Sequence, residues 1–109
     1  MTQLEREIEQ KLIDMVKRHG GKCLKWVCPG WAGVPDRIIL LPGGRIMFVE
    51  TKRPKGSIMA KRQEWWKKEL RRLGFWCATV WTPGDVQMLD LIIRDELDQS
   101  GAGEAKRNK

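Results

Sequence analysis

No stretch of the chain stays apolar for the roughly 18 residues that a bilayer crossing needs, and the opening MTQLEREIEQ lacks the charged-then-apolar order of a secretory leader. A membrane-crossing helix is excluded by the first absence, and the second makes a cytoplasmic location the expectation. The three cysteines, Cys23, Cys28 and Cys77, are odd in number and form no C-x-x-C pair. A disulfide framework is therefore not expected, and the thiols read as small buried hydrophobes. A zinc site made from them with His19 has poor ligand spacing, and a cap at the end of the first helix is the more ordinary role for that histidine. There are no internal repeats. At 109 residues the chain has room for one modest core and no second module.

What the chain does have is positive charge. Lys and Arg number 21 against 14 Asp and Glu, a formal +7 spread along the sequence. A polyanionic partner follows naturally, although basic balance alone does not name it.

The pattern predicts a helix over Leu4–Lys17 followed by Gly20-Gly21, a short strand over Lys22–Val27, and a Gly/Pro-rich loop, CPGWAGVP, whose Trp31 is a candidate contact residue. Two apolar runs, Asp36–Leu41 and Arg45–Lys52, flank Pro42-Gly43-Gly44 and read as a hairpin. Both are apolar at successive positions, so both sheet faces are expected to be covered. A second helix over Met59–Leu73 ends at Gly74. A core strand over Phe75–Trp81 follows, and Asp85 is the expected cap of a last helix over Val86–Leu97. Residues 1–98 thus form a single domain of the α/β class, a mixed sheet with helices packed on it. The polar remainder, 99–109, is expected to be disordered.

The hairpin carries the chemistry. A three-residue turn puts Leu41 opposite Arg45, Leu40 opposite Ile46, Ile38 opposite Phe48, and therefore Asp36 opposite Glu50. Directly opposed side chains lie roughly 4.5 to 5.5 Å apart at Cβ, and like charges there destabilise unless compensated. A divalent cation compensates. Lys52 falls on the same side as Glu50, one pleat further along. A two-residue turn would instead oppose Asp36 to Thr51, because a one-step slip reverses every side chain. Hard oxygen ligands suit Mg²⁺ or Mn²⁺. Such an ion activates water and polarises a phosphodiester, and a lysine neutralises developing charge.

Other residues are more ambiguous. Glu9 falls within the apolar arc of the first helix, where a carboxylate needs a partner, and is preferred to Glu5 one turn earlier as a third acid. Gln63 shares the stripe of Trp66 and Leu70, a place for an amide that orients water or one that is merely structural. Lys25, Arg53, Lys55, Lys61 and Arg62 are candidate phosphate contacts, as are Lys67, Lys68, Arg71 and Arg72, against the common alternative of a solvated basic face. Trp65 and Trp66 point in different directions. One belongs in the core, and the other packs on a partner subunit, the reading preferred here, or stacks on a base.

Pro35-Asp36 with Glu50-Thr51-Lys52 resembles the PD-(D/E)xK nuclease superfamily. More narrowly, GVPDRIILLPGGRIMFVETKRPKG with Gln63 beyond it resembles the stand-alone virus-type VRR-NUC domains, from about Glu5 to Trp81. The resemblance implies a restriction-endonuclease-like αβββαβ core. It also implies an Mg²⁺ or Mn²⁺ centre held by Glu9, Asp36, Glu50 and the main-chain carbonyl of Thr51, with Lys52 as the catalytic cation and Gln63 assisting. Thr51 departs from the apolar residue common at its place. The implied activity is a homodimeric, metal-dependent endonuclease selective for branched DNA such as Holliday junctions, acting in the host cytoplasm if viral. The alternative is a catalytically silent DNA-binding or dimerisation module of the same fold. A sequence-specific, restriction-like enzyme ranks lower, because 109 residues leave little room for a target-recognition domain.

Overall fold

A computed structural model describes residues 3–51 and 58–107. Helix α1 (Gln3–Arg18) leads into strands β1 (Lys22–Lys25), β2 (Arg37–Leu41) and β3 (Arg45–Glu50). Helix α2 (Ile58–Arg72), strand β4 (Trp76–Thr79) and helix α3 (Pro83–Arg107) complete the chain. The strands form one sheet in the order β1-β2-β3-β4. The first two pairings are antiparallel, whereas β4 joins β3 in parallel after the α2 crossover. This is the mixed α/β architecture the pattern predicted. Among the described residues no helix is long and apolar enough to cross a membrane.

Strand alternation divides the core in two. Ile39, Leu41, Met47 and Val49 point to one side and pack with Ile8, Leu12, Met15 and Val16 of α1 and Val86, Leu89 and Ile93 of α3. Phe48 and Cys77 point to the other and pack with Leu70 of α2, joined by Trp26, Ile38 and Trp66. The α2 side is not covered throughout. Leu24, Leu40 and Ile46 are 46%, 37% and 40% exposed, which corrects the expectation that both faces are closed. The reason is geometric: Leu40 and Ile46 lie at the turn end of the hairpin, beyond the part that α2 reaches.

The turn itself is the predicted one. Gly43 and Gly44 both have positive φ, 82° and 74°, a conformation that L side chains resist. The register then runs Leu41↔Arg45 through Arg37↔Val49.

At α3 the structure differs from expectation at both ends. Thr82, not Asp85, is the cap: its Oγ1 accepts from Asp85 N, and Asp85 Oδ2 accepts in return from the Thr82 and Trp81 amides. This reciprocal pair is a capping box, with Pro83 at the first helical position where its missing N–H costs nothing. The helix also runs on to Arg107 through the polar residues expected to be a tail. Once a helix is anchored, extension needs no new nucleus, and Ala, Glu and Lys after residue 101 are good helix formers.

Candidate active site

Extending the register by one pair beyond Arg37↔Val49 opposes Asp36 to Glu50. Both positions are also bonded on the outer strands' sides of the sheet. Trp26 N donates to the Asp36 carbonyl at 2.9 Å, and Val80 N donates to the Glu50 carbonyl at 2.8 Å. Glu50 comes one residue after Val49, which packs towards α1 and α3, so its side chain emerges on the α2 side. There Gln63 Nε2 donates to its carboxylate at 3.1 Å.

Glu50 is 7% exposed and Thr51 also 7%. Together with Arg37, at 8%, they are the buried polar residues among those described. Buried charge needs partners, and each of the three has one.

Thr51 proves to be more than a carbonyl. Its amide donates to Asp36 Oδ1 at 3.0 Å, and its hydroxyl donates to Asp36 Oδ2. Both oxygens of Asp36 are thereby oriented by the one residue that follows the neighbouring strand. The apolar residue common in the resembled family would supply only the amide. Gln63 Oε1 and Thr79 Oγ1 are buried acceptors without a partner, and they line a crevice of about 10 Å³ together with Gly33, Pro35, Glu50, Glu64, Lys67 and Cys77.

Glu9 is not brought to this pair. It forms an ion pair with Arg37, the side chains being only 16% and 10% exposed. Arg37 opens β2 and pairs with Val49, so it points to the α1 side, away from Glu50. Burial pushes the guanidinium below its ordinary value. Among the described residues no three His, Cys, Asp or Glu side chains converge closely enough to hold a metal ion. The carboxylate pair alone fits a hard cation: Mg²⁺ is held by one or two carboxylates and otherwise keeps its waters.

The remaining candidates divide. Lys52, Arg53 and Lys55 lie outside the described residues. Lys25, Lys61 and Arg62 are exposed, Lys25 on the edge strand and the other two on α2. Arg71 is committed to the Cys77 carbonyl through Nε and Nη2, and Arg72 to Glu69. Neither is a ready phosphate contact. His19 sits against Asp90, 2.6 Å away, tying the end of α1 to α3, and this contact lowers the Asp90 carboxyl below its usual range. Burial pushes the Cys23 thiol up to about 11, the charge of Asp36 adding to the effect. Cys77 is raised chiefly by burial, so neither thiol is a nucleophile at neutral pH.

Comparison with known proteins points the same way. No model of a protein family matches the chain. It is 50% identical over 50 residues to "Putative nuclease p44" of Acyrthosiphon pisum secondary endosymbiont phage 1. That stretch is 46% of this chain and 54% of the phage protein, so the match spans about half the length of the relative. A solved structure described as "VRR_NUC domain" superposes with a TM-score of 0.71 at 25% identity, covering 81% of this chain and 95% of the other.

Proposed function

We propose that the chain, which shares its α/β fold with a VRR_NUC domain and about half its length with the phage "Putative nuclease p44", is a VRR-NUC nuclease, a metal-dependent DNA endonuclease acting on branched DNA as a homodimer in the cytoplasm. One observation carries the reading. Two carboxylates, Asp36 and Glu50, stand at the ends of otherwise apolar strands, opposite one another by extension of the observed register, with Thr51 donating to the first and Gln63 to the second. A module that only binds DNA gains nothing from such an arrangement, because opposed carboxylates repel one another and the phosphates alike.

Asp36, Glu50 and the Thr51 carbonyl would hold Mg²⁺ or Mn²⁺. When bound, the ion supplies an activated water and charge neutralisation at the phosphodiester. The protein contributes orientation. Thr51 fixes both Asp36 oxygens, and Gln63 fixes Glu50 while keeping Oε1 as an acceptor for water. Lys52 is assigned the catalytic cation on its place in the Glu50-Thr51-Lys52 motif. Lys25, Lys61 and Arg62, with Arg53 and Lys55 of the sequence motif, are the proposed phosphate contacts. Homodimer formation follows from the substrate: symmetric cuts on related strands need two sites about a two-fold axis.

The test is cleavage of labelled four-way junction, flap and linear duplex with Mg²⁺, Mn²⁺ or EDTA. The expected result is cutting with either metal and none with EDTA, with paired nicks on the junction. Binding without cutting under every metal would leave the silent DNA-binding module as the function.

Thr51 provides a finer check. Thr51→Val keeps the shape and the amide donor but removes the hydroxyl from Asp36. Partners of ligating carboxylates are worth about 10- to 100-fold in metal affinity or activity. Titrating the metal is expected to show a half-maximal Mg²⁺ concentration raised by about that factor in Thr51→Val, with Thr51→Ser close to wild type. Equal Mg²⁺ dependence in all three proteins would remove Thr51 from the site.

A further inference from the structure

Beside the carboxylate pair lies a second feature that the cleavage chemistry does not use. Between the β1–β2 loop and α2 runs a groove of about 310 Å³ lined by Gly30, Trp31, Ala32, Arg62, Trp65 and Trp66. Its volume is at the small end of ligand sites, suited to a single ring system. Trp66 is half-buried and packs against the Phe48 cluster. Trp31 and Trp65 are 60% and 54% exposed. Both meet Trp66 edge-to-face, with centroids 5.8 and 5.1 Å apart and planes at 84° and 90°. Such a contact uses an edge or one face of each ring, so each exposed indole keeps at least one π-face uncommitted.

The groove is built from the same two segments as the candidate active site. The loop carrying Trp31 continues through Gly33 and Pro35 to Asp36, and the residue after Arg62 is Gln63, which holds Glu50. Loop and helix are in direct contact. A Cβ at Gly33, whose φ is 92°, would lie 2.5 Å from Arg62 Cβ and 2.8 Å from its carbonyl carbon. The groove walls are therefore fixed relative to the carboxylates.

Charge selects the occupant. Arg62 lines the groove and Lys61 precedes it, both exposed, in a chain of net charge +7. Flat aromatic faces beside a guanidinium match an unpaired nucleotide, with its base on the indole and its phosphate on the cation. A second copy of the chain fits less well. A two-fold interface centred here would set the Lys61–Arg62 pair against its own image.

We propose that this groove binds an unpaired base of the DNA next to the phosphate being cut, giving the enzyme its preference for branched over fully paired substrates. The position beside the scissile phosphate rests on the nuclease reading. Base binding itself does not, and it is tested without turnover.

The experiment measures affinity of the full chain in EDTA for a labelled flap with an unpaired strand and for a blunt duplex, at one salt concentration. Wild type is compared with Trp31→Ala, Trp65→Ala and the corresponding Phe variants. Stacking is worth about 1–3 kcal/mol per base, or about 5- to 150-fold. Each Ala variant is expected to lose affinity for the flap within that range, and the Phe variants to retain most of it. Duplex binding should stay within about twofold, which also reports that the variants are folded.

Three results would overturn the proposal. One is unchanged flap binding in the Ala variants. Another is an equal loss on flap and duplex. The third is a dimer-to-monomer shift by light scattering with both affinities intact, which would make the groove a subunit interface. Cleavage with Mg²⁺ is scored separately, so a chain that stacks bases but never cuts is distinguishable from one that cuts without using the groove.

Discussion

Asp36→Asn is expected to slow DNA cleavage by more than about 100-fold while leaving the melting temperature in EDTA unchanged or raised. Asparagine keeps the shape of the side chain. Its carbonyl can accept from the Thr51 amide, and its NH₂ can donate to the Thr51 hydroxyl in place of the bond that runs the other way in the wild type. What is lost is the charge. Asp36 opposes Glu50 across the hairpin, and removing one of two opposed like charges relieves repulsion. The same charge is what a divalent cation would require, and loss of a direct ligand exceeds the 10- to 100-fold typical of its outer partners. Single-turnover cleavage and a thermal melt of the same preparation decide the matter. Undiminished cutting would take Asp36 out of the site, whereas a clear fall in melting temperature would show that the carboxylate pair is not strained.

The hairpin was legible because two independent signals agree on it. Pro42-Gly43-Gly44 demands a three-residue turn, the apolar residues fall into opposed pairs, and the only register that satisfies both opposes Asp36 to Glu50. The observed pairing follows it residue for residue from Leu41↔Arg45 to Arg37↔Val49. Gln63 was legible for a similar reason: its stripe with Trp66 and Leu70 leads to the face where those residues and Glu50 meet.

Other features were obscured by competing patterns. At α3, the acidic Asp85 looked like a cap, yet Thr82-Pro83-Gly84-Asp85 carries the spacing of a capping box with proline at the first helical position, and that signal wins. Leu40 and Ile46 read as buried because strand composition does not reveal how far a helix extends over the sheet. For Thr51, only the carbonyl matters in the resembled motif, so nothing in the motif itself disclosed that this hydroxyl reaches Asp36.

Glu9 is the instructive case, because the sequence held the correction. The helical wheel rightly turned it inward, and a buried carboxylate rightly demanded a partner. If Asp36 faces one side of β2, its neighbour Arg37 must face the other, towards α1. A guanidinium in that place needs an acid as much as Glu9 needs a cation, and the two are joined.

Glu9→Ala is accordingly expected to be first a stability variant. Deleting one member of a buried ion pair costs about 3–5 kcal/mol because the other charge is stranded. The side chains here retain 16% and 10% exposure, so a loss of at least about 2 kcal/mol is the appropriate expectation, read as a shift of the urea midpoint in EDTA. Apolar replacement of both partners avoids the stranded charge and is often neutral. The double variant Glu9→Leu with Arg37→Met is therefore expected to regain most of the stability, and with it the wild-type dependence of cleavage on Mg²⁺. Should Glu9→Ala instead leave the urea midpoint in place and raise the Mg²⁺ requirement, Glu9 would be a third ligand that abandons Arg37 when the metal binds. The double variant would then be stable but inactive, an outcome that the ion-pair reading forbids.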